Sequence, residues 1–218
     1  MFSINSHLFF NNTHVHGFFY FLSEPLFYVL AFFNKIFKNW GFSIIMLTIF
    51  IRIIMYPLAR FQQETLAKIT NLQPQILNIK EKFKHDYNES NVQILKLYKE
   101  NNVNPLYSFL PILLQTPFFL ALYHLLTTVN ELKRAPFVFW IQDLSTYDPC
   151  YILPMILGFT IYLLQISSLN SQSSYLLEAS PSNKYFIILF SVFMALFFMH
   201  FPSGLLIYYI VNNIISII

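Results

Sequence analysis

The chain has 218 residues, of which 56% are hydrophobic, 19% aromatic and only 11% charged. An average soluble domain carries about 25% charged residues, so this composition excludes a globular fold surrounded by water, and its many apolar side chains exclude disorder. The net charge of +3 is modest. The single cysteine, Cys150, excludes an intramolecular disulfide and a metal site built from several thiolates. The composition is typical of an integral membrane protein.

The first 39 residues are interpreted as a tail followed by a surface helix. Met1–His16 contains no Lys or Arg ahead of an apolar stretch, so we expect no cleaved signal peptide, and residues 1–17 form an N-terminal tail. Within 18–39, Ser23-Glu24-Pro25 predicts a helix start, because Pro is favoured in the first helical turn. The remaining helix, Leu26–Phe37, is too short to cross a bilayer, which favours an amphipathic helix that lies in the surface of the membrane over an additional span.

Residues 40–218 contain five apolar stretches that are candidates to cross a bilayer, for which about 20 apolar residues are needed. The first three are Gly41–Ala59, Leu106–Thr127 and Tyr151–Ile166. The last stretch, Tyr185–Ile218, is interrupted by Phe201-Pro202-Ser203-Gly204, which predicts a turn between two short helices.

Residues 60–104 differ sharply from the rest, since they hold seven of the thirteen basic residues and five acids. Apolar residues recur there with a period near 3.5, which predicts an amphipathic helix. This stripe consists of Leu66, Ile69, Leu72, Ile76, Ile79 and Phe83. A break at Asp86-Tyr87-Asn88-Glu89, followed by Val92, Leu95 and Tyr98, predicts a second helix and hence a helical hairpin outside the bilayer. Basic loops favour the cytoplasmic side, so the hairpin and the C-terminus are expected inside and the N-terminus outside.

Arg52 is the most informative residue, because it lies near the middle of the first predicted span. A cation at that depth costs about 2.5–3.5 kcal/mol even on lenient scales, and it normally faces a partner or water. Every Asp and Glu of the sequence falls in a loop or at a helix end. We therefore favour a water-filled recess over a buried ion pair or a long reach to the membrane surface.

Polar residues in the predicted spans suggest a groove around Arg52. Thr48, Arg52 and Tyr56 share one helix face because they are four residues apart. The other spans contribute Ser108, Gln115, Thr116, Tyr123, His124, Thr127, Thr160, Gln165, Tyr208, Tyr209, Asn212 and Asn213. Each of these alone is more often part of a hydrogen bond between helices. Together with an unpaired arginine they indicate a polar groove that would attract carboxylates of a passing peptide.

Catalytic signatures are absent from the sequence. It contains no HExxH motif, no GxSxG motif and no P-loop, and the histidines are too scattered to predict a metal site. No cofactor is expected, and nothing predicts recognition of a nucleic acid sequence. Besides a groove for peptides, three other readings stay open: a small anion transporter or channel subunit with Arg52 as its site, a structural subunit of a membrane complex, and an intramembrane protease.

A series of motifs resembles the YidC, Oxa and Alb family of membrane protein insertases from about residue 18 to the end of the chain. The series begins with Asn39-Trp40-Gly41-Phe42-Ser43-Ile44-Ile45, Arg52 and Met55-Tyr56-Pro57-Leu58, and continues with Leu72-Gln73-Pro74, Leu97-Tyr98-Lys99 and Val103-Asn104-Pro105-Leu106. It ends with Pro111-Ile112-Leu113-Leu114-Gln115-Thr116-Pro117, Ala135-Pro136-Phe137, Trp140-Ile141, Asp143-Leu144-Ser145, Asp148-Pro149, Tyr151-Ile152-Leu153-Pro154, Phe201-Pro202-Ser203-Gly204 and Tyr208-Tyr209.

The resemblance implies an all-α integral membrane protein with five transmembrane helices around a hydrophilic groove that opens to the cytoplasm and to lipid. It implies an amphipathic helix on the outer surface at 18–39 and a cytoplasmic helical hairpin at 60–104. Arg52 would be the groove arginine, with Thr48, Phe119 and Tyr209 lining the substrate path and Gln115 on the groove side. The function implied is insertion of nascent membrane proteins into the bilayer without ATP hydrolysis, in a bacterial inner membrane.

Partners are also implied by the resemblance. Nascent membrane proteins and lipid are the expected ones, with the Sec translocon and the ribosome as candidates. Many Gram-negative members have an additional N-terminal span and a large periplasmic domain, which these 218 residues do not represent. A basic C-terminal tail, which helps several members bind ribosomes, is not found before Ile218, and this counts against ribosome docking.

Overall fold

The computed structural model describes residues 18–104, 106, 110–171 and 181–217, and the regular structure in those residues is helical. The helices are α1 (Phe18–Phe37), α2 (Trp40–Asn71), α3 (Gln73–Lys82), α4 (Tyr87–Glu100), α5 (Leu110–Thr128), α6 (Ile152–Ser171), α7 (Pro181–Phe198) and α8 (Ser203–Ile217). The predicted all-α class is confirmed for the described residues. The predicted tail, residues 1–17, lies outside them.

Each of the five predicted spans overlaps one of the helices α2, α5, α6, α7 or α8. The turn predicted at Phe201–Gly204 is confirmed, since α7 ends at Phe198 and α8 begins at Ser203. Among the described residues, α2 alone is both long and apolar enough to cross a membrane by length and composition. Shorter apolar helices run over Ile152–Ser167, Tyr185–Phe198 and Ser203–Ile217. The arrangement of five spans stays a prediction.

Helix α1 begins at the residue that the family resemblance implies, and earlier than the start that Ser23-Glu24-Pro25 predicts. It starts at Phe18 and runs through Pro25, which was expected to open it. A proline inside a helix removes one backbone hydrogen bond. Leu22, Leu26 and Leu30 are four residues apart and all pack on the core, so a continuous apolar face outweighs that loss. The opposite face exposes Phe21 and Phe32, so it is not the polar face that an amphipathic helix would present to water. The predicted location of α1 at the membrane surface stays a prediction.

The hairpin is present, but two details of its prediction are wrong. Helix α2 continues without a break to Asn71, so it includes the first part of the predicted hairpin arm. The turn lies before Asp86 rather than at Asp86–Glu89. Asp86 accepts hydrogen bonds from the backbone N–H groups of Asn88 (3.1 Å) and Glu89 (3.0 Å). Because a carboxylate in this position caps a helix, Asp86 starts α4 instead of interrupting it.

The apolar stripe of α4 is also rotated relative to the prediction. Val92 and Leu95 are 56% and 61% exposed, although they were expected to pack. Ile94 and Leu97 pack instead on a small core around Ile76. The complete cluster consists of Ile69, Leu72, Ile76 and Val103, with Ile94, Leu97 and Tyr98 at its edge. This core is separate from the main one, which indicates that the hairpin is held mainly by its own contacts.

Helix α8 is the centre of the main core. It packs against α2, α5 and α6, whereas α7 packs chiefly on α6 and α1 packs on α2 and α5. Gly204 lets α8 approach closely, because a Cβ there would lie 2.9 Å from a Leu126 methyl group and 3.1 Å from one of Ile44. Leu205, Leu206 and Tyr208 are almost completely buried. The shortest of these core helices therefore touches most of the elements that carry predicted site residues.

Candidate functional site

Arg52 reaches from α2 to the last two turns of α8. Its Nη2 donates hydrogen bonds to the carbonyl oxygen of Asn212 (3.0 Å) and to Oγ of Ser216. Ser216 Oγ also donates to the same carbonyl, at 2.8 Å. Both acceptors are neutral, so they orient the guanidinium without neutralising its charge. The side chain is half-buried.

One donor of Arg52 has no partner. Its Nε is buried and makes no hydrogen bond. The ion pair found among the described residues is Arg60–Glu64, which is exposed and far along α2, at 3.8 Å. Arg52 itself forms no ion pair with the residues that the structure describes, and the absence of a carboxylate partner stays a prediction. An unmatched buried N–H is costly, and a site that keeps one is a place for water or for an incoming acceptor.

The other residues on the Arg52 face of α2 differ in exposure. Thr48, one turn earlier, is buried, and its hydroxyl donates to the carbonyl oxygen of Ile44 (2.7 Å). Tyr56, one turn later, is exposed. The predicted face therefore runs from the core at Thr48, through Arg52, to the surface at Tyr56. The structure does not join Thr48 to Arg52 by a hydrogen bond.

Gln115, Phe119 and Tyr209 come together around the middle of α8. Gln115 Nε2 donates a hydrogen bond to the buried hydroxyl of Tyr208 (2.9 Å). The ring of Phe119 lies 5.6 Å from that of Tyr209 and 5.9 Å from that of Phe201, measured between centroids. These contacts produce an aromatic cluster, which we define as Phe119, Phe198, Phe201 and Tyr209.

Four of the five predicted site residues thus form two groups along α8. Gln115, Phe119 and Tyr209 surround residues 208–209, and Arg52 contacts residues 212 and 216. Since Tyr208 and Asn212 are one helical turn apart, the two groups are neighbours on α8. Thr48 belongs to the packed side of α2.

Three other polar residues of the predicted groove, Thr160, Gln165 and Asn213, make hydrogen bonds between helices. Asn213 Nδ2 donates to Oγ1 of Thr160 (3.2 Å) and joins α8 to α6. Gln165 Nε2 donates to Oγ of Ser191 (3.3 Å) and joins α6 to α7. These residues hold the bundle together, which was the alternative reading for each of them. Ser108 lies outside the described residues.

Sequence reasoning missed Ser216 and the role of the Asn212 backbone. A signal for Ser216 exists, because it lies four residues after Asn212 and so on the same face of α8. No signal in the sequence shows that this face meets Arg52, since that depends on how α2 and α8 pack.

The loop between α5 and α6 was also missed as a structural element. The carboxylate of Asp148 is fully buried and accepts hydrogen bonds from Trp140 Nε1 (2.9 Å) and from the backbone N–H groups of Cys150 (3.0 Å) and Leu153 (2.7 Å). The carbonyl oxygens of Leu144 and Thr146 accept from the backbone of Gly204 (2.9 Å) and Ser203 (2.7 Å). The loop therefore covers the beginning of α8.

Comparisons with known proteins agree with this architecture. The family model described as "60Kd inner membrane protein" matches residues 32–218. The chain is 45% identical over 204 residues to the membrane protein insertase YidC of Blochmanniella floridana, and 42% identical over 203 residues to that of Wigglesworthia glossinidia brevipalpis. It is 41% identical over 202 residues to the YidC of Pasteurella multocida. Each match covers 93% of this chain and 36% of the relative, so the chain spans about a third of the length of these relatives.

A solved structure shows the same likeness. The crystal structure titled "Active YidC insertase crystal structure with the first transmembrane domain resolved" has a TM-score of 0.69 and 28% sequence identity, and the match covers 94% of this chain and 46% of that one. The names of these relatives give no support to the anion-transporter reading. Because the family model covers most of the sequence and the fold agrees, the chain belongs to the 60Kd inner membrane protein family, whose members similar to it are YidC insertases.

Proposed function

We propose that this chain is a membrane protein insertase that moves nascent hydrophobic segments from the cytoplasm into lipid along a polar groove beside α2 and α8, without ATP hydrolysis. The observation that carries the proposal is the state of Arg52: among the described residues its acceptors are neutral, and its buried Nε–H makes no hydrogen bond to any of them. Similarity to proteins named YidC insertases supports the general activity.

Arg52 would bind the polar flank of an incoming segment. Each bare polar group costs several kcal/mol in hydrocarbon, so the flank of a nascent segment needs a partner while it crosses. The half-buried guanidinium offers a charge to a carboxylate of the substrate, and its buried Nε–H would gain an acceptor once the side chain shifts toward the substrate. The bonds to Asn212 and Ser216 would keep it oriented during this exchange.

The aromatic cluster would guide the apolar part of the substrate. Phe119 and Tyr209 are half-buried, so they contact the core on one side and leave the other side accessible. An apolar segment that leaves the groove along these rings would enter lipid with a favourable free energy of transfer.

Short helices would reduce the distance to be crossed. Helix α8 has 15 residues, which corresponds to about 22 Å, whereas the hydrocarbon core of a bilayer is about 30 Å thick. A helix of this length favours local thinning of the bilayer beside the groove. In the same proposal, the cytoplasmic hairpin receives the incoming segment and the N-terminus lies outside. The Sec translocon is a candidate partner, and the ribosome is the less expected of the two candidates.

Insertion by the chain in reconstituted vesicles tests the role of Arg52. We expect Arg52→Ala to slow insertion of single-span substrates with acidic outer tails by about 10-fold or more, since a charge-assisted hydrogen bond contributes about 1.5–3 kcal/mol. Arg52→Lys keeps the charge and should retain most of the activity.

The matched control is Arg60→Ala, which removes the same residue type from the same helix at an exposed position. It should insert the same substrates at the rate of the unmodified chain. Equal rates for Arg52→Ala and Arg60→Ala would contradict the proposed role of the groove charge.

Crosslinking tests the substrate path directly. Photoreactive side chains at positions 119 and 209, where the native residues are half-buried, should each label a stalled nascent membrane protein, whereas one at Met155, which is exposed on α6, should not. Thr48 is buried in the packed core, so labelling from position 48 would require α2 to move. Labelling from Met155 alone would place the path elsewhere.

A further inference from the structure

A cavity of about 150 Å³ lies between α1, α2 and α5, away from the groove. Ten residues line it, and all of their side chains are apolar. Leu26, Leu47 and Ile51 form its floor, since each is at most 9% exposed. We call this cavity the slot. Because none of these lining side chains is charged or can form a hydrogen bond, water has no partner there, and an apolar cavity of this size stays dry.

The slot opens to the outside of the helix bundle. Phe50 and Ile54 lie at its edge and are 40% and 51% exposed, and Pro25 on α1 is also exposed. In a membrane protein, an apolar surface at the level of a spanning helix faces lipid hydrocarbon. The mouth of the slot is therefore in contact with acyl chains, whereas its floor is part of the packed core.

The size of the slot identifies what it can hold. An α-helix with its side chains is about 10 Å wide, so a single turn occupies about 400 Å³ and does not fit. A lipid headgroup carries charges and would find no polar partner among the lining residues. The end of a thin, unbranched hydrocarbon chain satisfies both conditions, with the rest of the chain outside the mouth of the slot among the surrounding lipid.

We propose that the slot binds one acyl chain of a membrane phospholipid, which fills the space between α1 and the α2–α5 pair. This site is distinct from the groove and does not depend on the proposed insertase function. Filling it would add apolar contacts to Leu26, Leu47 and Ile51, so the attachment of α1 to the bundle would depend on lipid.

Native mass spectrometry of the full chain in mild detergent tests the proposal. We expect the unmodified chain to retain one phospholipid after extensive washing. Val29→Phe and Met55→Phe fill the slot from α1 and from α2, so each should retain roughly fivefold less. Met155→Phe makes the same kind of change at a position that is 72% exposed on α6 and outside the slot, and it should retain lipid like the unmodified chain.

Thermal unfolding provides a second readout that separates filling from misfolding. Added phospholipid should raise the Tm of the unmodified chain and of Met155→Phe, but it should have little effect on either filled variant. A filled variant that merely misfolds would lose helix content and would show a lower Tm that added lipid does not restore. In that case, photolabelling of the unmodified fold decides, as follows.

A diazirine analogue of methionine at position 55 should form a phospholipid adduct in the washed protein, whereas the same analogue at position 155 should not. Absence of retained lipid in the unmodified chain, equal retention in all variants, or absence of a lipid adduct from position 55 would overturn the proposal.

Discussion

The two ends of the α2–α8 pair differ in how completely their polar groups are hydrogen-bonded. At the loop end, where both helices begin, Asn39 Oδ1 accepts from the N–H of Gly41, and the carbonyl oxygens of Leu144 and Thr146 accept from the first residues of α8. At the arginine end, which we define as Arg52, Asn212 and Ser216, the guanidinium has two neutral acceptors and one buried donor with none.

This difference shows at which end the chain satisfies its own polar groups and at which end another molecule could supply a missing hydrogen-bond acceptor. Polar groups that satisfy one another in a low-dielectric setting fix a single arrangement, as they do at the loop end. A buried donor without an acceptor has the opposite effect, because another molecule that supplies the acceptor lowers the free energy. The loop end is therefore expected to determine stability, and the arginine end is expected to determine activity.

The largest expected effect on stability comes from Asp148→Ala at the loop end. The change leaves the donors of Trp140, Cys150 and Leu153 without their acceptor, and we expect a loss of about 4 kcal/mol in the free energy of unfolding. Denaturation in mixed micelles measures it. The control is Asp143→Ala, whose carboxylate is partly exposed and should cost about 1 kcal/mol. Equal losses would contradict the importance of the buried position.

Glycine substitutions at the start of each helix should have an intermediate effect. A Cβ on Gly41 would overlap the ring of Phe137, which packs over the beginning of α2, so Gly41→Ala should cost about 2 kcal/mol. In Gly204→Ala the new Cβ meets only the methyl ends of Leu126 and Ile44, and the loss should be about 1 kcal/mol. The same denaturation curves compare them, and a larger loss for Gly204→Ala would refute this ranking.

At the arginine end, Arg52→Leu should separate activity from stability. An apolar side chain replaces a cation that no described carboxylate neutralises, so we expect the free energy of unfolding to change by less than about 1 kcal/mol, or to increase. We expect the insertion rate to fall by about as much as is predicted for Arg52→Ala. Arg60→Leu should leave insertion unchanged. A strongly destabilised Arg52→Leu would show that Arg52 is mainly a structural residue.

The smallest expected effect is that of Ser216→Ala. It removes one of the two acceptors of Arg52 but keeps the Asn212 carbonyl, so the guanidinium remains attached to α8. We expect a loss of about 0.5 kcal/mol in stability and a change in insertion rate of about twofold or less. Assays of both on one preparation check it, and a defect as large as that of Arg52→Ala would assign the site to the hydroxyl rather than to the charge.

Much of the helical structure follows from the sequence, since long apolar stretches and an amphipathic hairpin have strong patterns. The errors occur where two local signals compete. Pro25 marks a helix start in isolation, but packing of Leu22, Leu26 and Leu30 carries α1 through it. Asp86 was interpreted as part of a break because its neighbours are polar, although its carboxylate caps α4.

The candidate site was predicted only in part for a different reason. Arg52 is recognisable because a charge in an apolar segment is costly in any fold. Its contacts with Asn212 and Ser216, and the bond from Gln115 to Tyr208, depend on which faces of α2, α5 and α8 meet. Helical periodicity gives the faces of each helix but not their pairing.

The uninterrupted course of α2 has a mechanical consequence. Its 32 residues form a rod about 48 Å long that carries Arg52 near its middle and reaches the hairpin at Asn71. A displacement of the hairpin would therefore be transmitted toward Arg52 along one continuous helix, which bends most easily at Pro57, where a backbone hydrogen bond is missing. A polypeptide that loads the hairpin would thus tilt the arginine before it arrives there itself.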